Sequence, residues 1–206
     1  MAEVTLEPRV IFTGAPQVGK TSILRRYLRG QFSQHHVPTL GADPVPFSPN
    51  SPEEGSYWDL GSGLYAGLTE GYFVGAWAFV VVFDVTKAST KDHAISTIQK
   101  IKIFAPGRPI MLCGSKVDVE AERVSKEECL DIAAALEISY VETSAKNGLG
   151  IDHLFEWAAG HVSGVKNDPV YQERVAHRDA IVSEPESESE PESESDSDSD
   201  PGSPSE

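Results

Sequence analysis

From Arg9 to Val162, apolar runs of strand length alternate with stretches whose apolar residues recur at helical spacing. The longest run, Ala76-Trp77-Ala78-Phe79-Val80-Val81-Val82-Phe83, is apolar throughout. A strand with one wet face alternates, whereas a strand covered on both faces does not, so this run predicts a buried strand of a parallel sheet. Arg9 to Thr13, Pro109 to Gly114 and Ile138 to Val141 read the same way, and Ser56-Tyr57-Trp58-Asp59 reads as the end of a strand entering a glycine-rich turn. Between them, Lys20 to Arg29 predicts a helix that Gly30 stops. Leu64 to Val74 predicts a short helix of poor propensity. Ser89 to Phe104 predicts a longer one, with Ile95, Ile98, Ile101 and Ile103 as its apolar face. Ser125-Lys126-Glu127-Glu128 is a capping box opening a helix to about Leu136. Gly150 to Val162 closes the series, with Ile151, Leu154, Phe155 and Ala158 on one face.

The segment Gln31 to Gly55 holds five prolines, and a strand there must tolerate Pro44, Pro46 and Pro49. Proline donates no ladder hydrogen bond, so such a strand belongs at a sheet edge. The pattern predicts an α/β domain over residues 1–165, with about five helices and about six strands, one of them at a sheet edge. A polar extension of weak helical character follows over 166–182.

Charge divides the chain. Lys and Arg number 17 and Asp and Glu 32, for a net charge of −15. Ten of the acidic residues lie between Ser183 and Glu206, where there is no base, so the tail carries −10 and the other 182 residues −5. A tail of Ser, Glu, Asp and Pro buries too little surface to offset the entropy of ordering, which predicts disorder over 183–206. Its Ser-acidic repeats resemble acidic-directed kinase sites. A mildly acidic body argues against direct nucleic-acid binding, which needs clustered Lys and Arg. No run of about 18 apolar residues predicts a membrane span. Ala2 stands where myristoylation needs glycine, and the last residues hold no cysteine, so no lipid anchor is expected. Cys113 and Cys129 read as buried thiols.

The chemistry begins at Gly14-Ala15-Pro16-Gln17-Val18-Gly19-Lys20-Thr21, which fits G-x-x-x-x-G-K-[ST] between a strand and a helix. Backbone N–H groups of such a loop cradle phosphates, and the helix N-terminus adds partial positive charge. In this motif Lys20 can reach the β- and γ-phosphates and the Thr21 hydroxyl can ligate Mg²⁺; Ser22, next on the helix, is a further candidate for nucleotide binding. Pro16 removes one N–H from the loop.

Further motifs follow in order: Pro38-Thr39-Leu40-Gly41, Trp58-Asp59-Leu60-Gly61, Gly114-Ser115-Lys116-Val117-Asp118 and Glu142-Thr143-Ser144-Ala145-Lys146. With them the sequence resembles the Ras superfamily of small GTPases, over about Arg9 to Val175. Gly30-Gln31-Phe32, Gly67 to Phe73 and Phe83-Asp84-Val85-Thr86 make the Ran branch the most similar. The resemblance implies a P-loop small G domain, with a mostly parallel six-stranded sheet and one antiparallel edge strand after Thr39, that binds GTP or GDP with Mg²⁺. It implies that Thr39 contacts Mg²⁺ and the γ-phosphate, that Asp59 stands behind Mg²⁺, and that Gly61 meets the γ-phosphate. Asp118 would accept two hydrogen bonds from guanine, the Lys116 stem would lie over the ring, and the Ala145 N–H would read the guanine oxygen, with Ser144 and Lys146 beside it. Phe32 stands where the family places a ring near the base; core packing is the other reading. Implied partners are effectors and regulators, namely an exchange factor, an activating protein and transport receptors, in nucleus and cytoplasm.

Departures fall at functional positions. Asp59 is followed by Leu60-Gly61-Ser62-Gly63, one residue shorter than the family's D-T-A-G-Q, and the Gln that orients the attacking water is absent. Ser62 is too short to do the same from an unchanged backbone, so no catalytic residue is assigned, and Thr39, Gly61 and Ser62 are the candidates at the reaction centre. Two readings stand: a GTPase of slow turnover, or a GTP-binding interaction module without hydrolysis. Ser115 replaces the family's Asn and is expected to make one of its bonds. His36 stands where relatives close a Tyr over the phosphate. Lys126 is nearly alone among Glu127, Glu128 and Asp131, where Ran carries basic residues.

Overall fold

The computed structural model describes residues 8–35, 37–47, 55–61 and 68–166. The elements are β1 (Arg9–Gly14), α1 (Lys20–Arg29), β2 (Ala42–Pro46), β3 (Ser56–Leu60), α2 (Leu68–Phe73), β4 (Ala78–Asp84), α3 (Ala88–Phe104), β5 (Ile110–Ser115), α4 (Lys126–Ala135), β6 (Ser139–Thr143) and α5 (Ile151–Lys166). The sheet order is β2-β3-β1-β4-β5-β6. All neighbours are parallel except β2 and β3. This is the α/β architecture that the apolar runs predict.

Strand side chains alternate between two cores. Val10 and Phe12 of β1, Val80 and Val82 of β4, and Met111 and Cys113 of β5 face α1 and α5, meeting Ile23, Leu24, Leu154 and Phe155. Ile11, Phe79, Val81, Phe83 and Leu112 face the other way, toward Phe73 of α2, Ile98 and Ile101 of α3, and Cys129 of α4. Because β4 serves both layers, all seven of its residues are buried. Phe12 stacks on Phe155 with centroids 5.6 Å apart. A buried aromatic of this kind loses about 3–5 kcal/mol on truncation to alanine.

Pro44 and Pro46 sit where the physics requires, and Pro49 lies outside the described residues. Pro44 pairs with Trp58 and Pro46 with Ser56 on β2, the edge strand. Helix α3 corrects one expectation. Ile98 and Ile101 are buried with Ala94 and Thr97, but Ile103 is 72% exposed. Two residues beyond Ile101 is about 200° around a helix, so Ile103 points to the opposite side. Helix α2 spans six residues from Leu68, and the rest of the predicted Leu64–Val74 helix lies outside the described residues at its start. Helix α5 continues past Val162 to Lys166. Both cysteines are buried free thiols. Burial pushes the Cys113 thiol up to about 12, against a hydrogen-bonding contact with Thr143. No helix among the described residues is long and apolar enough to cross a membrane. Of the expected extension over 166–182 only Lys166 is described, as the end of α5, and the rest lies outside the described residues with the acidic tail.

The parallel strands all end at one edge of the sheet, so Gly14, Asp84, Ser115 and Thr143 converge there. In open α/β sheets that edge, outside the carboxyl ends of the strands, is where ligands bind.

Candidate functional site

The loop between β1 and α1 is shaped by backbone demands that its sequence meets. Gly14 has φ 143°, and a Cβ there would lie 2.1 Å from the Val82 carbonyl oxygen. No other residue fits so close to β4. Gln17 and Gly19 are left-handed, at φ 61° and 101°, which curls the loop over the start of α1. Gly19 caps that helix with no side-chain hydrogen bond, and its first turn carries no acid, so its amide groups and dipole remain for an anion. Lys20 is buried, with Nζ donating to the Gly14 and Ala15 carbonyls at 3.0 Å each. Burial pulls its pKa below the ordinary lysine value, against the nearby Asp59 charge, which raises it.

Behind the loop, three oxygen-bearing side chains from three segments meet. Thr21 Oγ1 donates to Asp59 Oδ2 at 2.5 Å. Thr39 Oγ1 donates to the same oxygen at 3.1 Å and lies 3.0 Å from Thr21 Oγ1. Asp59 is only 2% exposed, and its Oδ1 is buried with no hydrogen-bond partner among the described residues. An orphaned carboxylate oxygen beside two hydroxyls is a hard, all-oxygen donor set. It fits Mg²⁺, which takes a few protein oxygens and keeps waters and phosphate oxygens for its other positions. Thr21, Thr39 and Asp59 are the residues that would hold it.

Gly61 closes this corner. Its N–H donates to the Gly41 carbonyl at 2.7 Å, extending the β2–β3 pairing by one step. A Cβ on Gly61 would stand 2.2 Å from the Thr39 carbonyl oxygen. In this structure Gly61 contributes a missing side chain: it lets Thr39 pack against the end of β3.

Ser115 at the end of β5, with Lys116 and Asp118 in the loop after it, acts at the other end of the cleft. Ser115 is buried, and its Oγ lies 2.6 Å from the Val18 carbonyl and 2.7 Å from that of Phe83. A hydroxyl has one proton, so Ser115 braces the phosphate loop and the end of β4 with one bond shared between two acceptors. Lys116 is left-handed at φ 65°. Its Nζ donates to the Gln17 carbonyl and to Asp84 Oδ2, both at 2.7 Å. Burial works to raise the Asp84 pKa, but hydrogen bonds from Lys116 and from the Thr86 hydroxyl and N–H hold it below the usual carboxylate range. Asp118 Oδ1 accepts from Ser144 Oγ at 2.6 Å, and Lys146 Nζ stands 4.0 Å from Oδ2.

These groups surround one cleft of about 570 Å³. The segment Pro16 to Ser22 lines it with Phe32, Thr39 and Gly61, and Ser115, Lys116, Asp118, Ala145 and Lys146 complete it. Gly14, Ala15, Asp59 and Ser144 support the lining from behind. Phe32 is 38% exposed at the cleft rather than packed in either core. Ser62 and His36 lie outside the described residues.

Two residues escaped the sequence reading. Asp84, which anchors Lys116, had a signal: it is an acid closing an apolar run. Arg26 had none. Its Nε donates to the Ala145 carbonyl at 2.7 Å, across 119 residues of chain.

Comparison with known proteins agrees with this geometry. The model of the Ras family matches residues 9–163, more than half of the chain.

Proposed function

The chain belongs to the Ras family, and on that premise we propose that it is a guanine-nucleotide switch with Mg²⁺ in which GTP hydrolysis is slow. The family supports a GTP-binding small GTPase domain with regulators and effectors. The observation that carries the finer reading is the meeting, in one cleft, of the phosphate loop, the Thr21–Thr39–Asp59 oxygens and the Lys116–Asp118 corner.

The chain's own groups divide the work. The amides of the loop and the Lys20 ammonium bind the phosphates, and holding Lys20 dry strengthens its attraction for them. Bound Mg²⁺ would neutralise charge on the β- and γ-phosphate oxygens. Asp118 selects guanine, because a carboxylate accepts from the N1–H and 2-amino groups that adenine lacks in that arrangement. Thr39 would respond to the γ-phosphate, and its neighbours Val37 and Leu40 are 68% and 89% exposed, so a partner would feel that change.

Slow turnover rests on the sequence: no Gln follows Asp59 at the family's position to orient water. Each 1.4 kcal/mol added to the barrier is about tenfold in rate. The same observation supports the second reading, a GTP-binding interaction module that does not hydrolyse. A Ran-like part in nucleocytoplasmic transport, through transport receptors, is the extension that the Ran-like segments support. Analysis of nucleotide bound to the purified chain, with competition by GTP, GDP and ATP, tests the core of the proposal. Equal affinity for ATP and GTP would refute guanine selection. GTP-dependent capture of a transport receptor, with none by the GDP form, tests the transport role.

A further inference from the structure

We propose that Arg26 is a positioning residue for base recognition, an inference that rests on the guanine reading above. Three edges of its guanidinium serve three backbone carbonyls. Nε donates to Ala145 O at 2.7 Å, Nη2 donates to Lys146 O, and Nη1 donates to Gly30 O at 2.8 Å. No carboxylate pairs with it among the described residues. The charge is spent on fixing backbone.

The grip falls at two places that flank the base end of the cleft. Ala145 follows Ser144, whose N–H donates to Leu149 O at 2.9 Å and whose hydroxyl holds Asp118. Ser144 therefore anchors the loop on one side of Ala145, and Arg26 anchors the Ala145 carbonyl on the other. With both flanks held, the rotation about Ala145 that aims its N–H is fixed. The third bond reaches Gly30, which is left-handed at φ 64° and ends α1 just before the strand-free segment carrying Phe32. One side chain thus ties Ala145, assigned above as the guanine-oxygen reader, to the segment carrying Phe32, which lines the same cleft. The planar fork suits two successive carbonyls, and an ammonium does not reproduce it.

A mere tie between α1 and the loop after β6 would cost stability without touching base chemistry. The two roles separate when the base atom is changed. The full chain and its Arg26→Ala and Arg26→Lys variants are titrated with GDP and with 6-thio-GDP, in which sulfur, a poorer acceptor, replaces the guanine oxygen. The thermal midpoint is recorded alongside. The wild type should bind GDP several-fold more tightly than the thio analogue. In Arg26→Ala, GDP should weaken by about tenfold and the difference between the two ligands should shrink toward none. Arg26→Lys should fall between. If Arg26→Ala loses both ligands equally, or leaves GDP unchanged, the positioning role is overturned. If Arg26→Ala does not fold, Arg26→Lys decides, and a wild-type preference there overturns the proposal. Wild type that binds no GDP would refute the guanine reading itself, whereas wild type that binds GDP without a thio penalty refutes only the role given to Ala145 and Arg26.

Discussion

Gly61 offers the sharpest test of how the Mg²⁺ corner is built. Its φ is not in the left-handed region, so alanine is conformationally allowed there, and any effect of Gly61→Ala comes from contact. The added Cβ would meet the Thr39 carbonyl oxygen at 2.2 Å and that of Gly41 at 2.9 Å. Carbon and carbonyl oxygen in close but relaxed contact stand about 3.3–3.6 Å apart, so the Thr39 backbone must withdraw by about 1 Å. Thr39 Oγ1 now lies 3.0 Å from Thr21 Oγ1 and 3.1 Å from Asp59 Oδ2. A shift of that size takes both contacts beyond hydrogen-bonding range. Mg²⁺ binds oxygen at about 2.0–2.1 Å in a nearly ideal octahedron, so it cannot follow the hydroxyl. The loss is an interaction with a charged group, about 1.5–3 kcal/mol, or roughly tenfold to 150-fold in affinity. On the proposed reading Thr39 serves the γ-phosphate state, so the loss should appear for GTP and not for GDP. The assay is titration of wild type and Gly61→Ala with GDP and a non-hydrolysable GTP analogue, each with Mg²⁺ and with EDTA. The expected result is a fall in the GTP-to-GDP affinity ratio with Mg²⁺ that disappears in EDTA. An unchanged ratio, or an equal fall in EDTA, would refute the argument that Gly61 is required for Thr39 to serve the metal.

Other outcomes follow from the same geometry. Asp118→Ala should weaken guanine nucleotides far more than Ser115→Ala, which loses one shared bond, about 0.5–1.5 kcal/mol; equal losses in a binding titration would contradict the roles given to the two residues. Asp84→Asn should speed GDP release several-fold by freeing Lys116. Because the Asp84 pKa is held below the ordinary carboxylate range, the wild-type link persists through that range and weakens only as pH falls through the lowered value. Asp84→Asn should lack that acid step, and a release rate with the same pH profile in both proteins would count against the link. Single-turnover hydrolysis should be slower than in relatives that carry the Gln, and an equal rate would mean that another group orients the water. Removal of Ser183 to Glu206 should leave GDP affinity and the thermal midpoint nearly unchanged; a several-fold change in GDP release would show that the tail acts on the domain.

What could be read in advance depends on how far apart in the chain the cooperating atoms lie. The phosphate loop was legible because its parts are contiguous: Gly14 to Thr21 carry strand end, turn and helix start within eight residues. Strand β4 was legible because burial on both faces leaves an unbroken apolar run, and edge strand β2 because proline has no proton to give a neighbour. Helix α3 shows where pattern alone misleads, since isoleucine at Ile103 obeys the composition of the face but not its angle. The Thr21–Thr39–Asp59 cluster spans 38 residues and entered only through resemblance, which supplies long-range contacts that periodicity lacks. Ser115 was expected to make one of the bonds of the Asn it replaces, and its single proton between Val18 O and Phe83 O agrees with that valence argument. Arg26 lay beyond both kinds of reading. Arginines toward a helix C-terminus are common because they favour the dipole, and nothing in the local sequence separates Arg26 from Arg25 or Arg29. Only the folded chain, by bringing the loop after β6 alongside α1, gives one of the three a set of carbonyls to hold. A residue whose partners are backbone atoms leaves no complementary side chain elsewhere in the sequence, and for that reason such positioning groups are the last part of a site to be found without a structure.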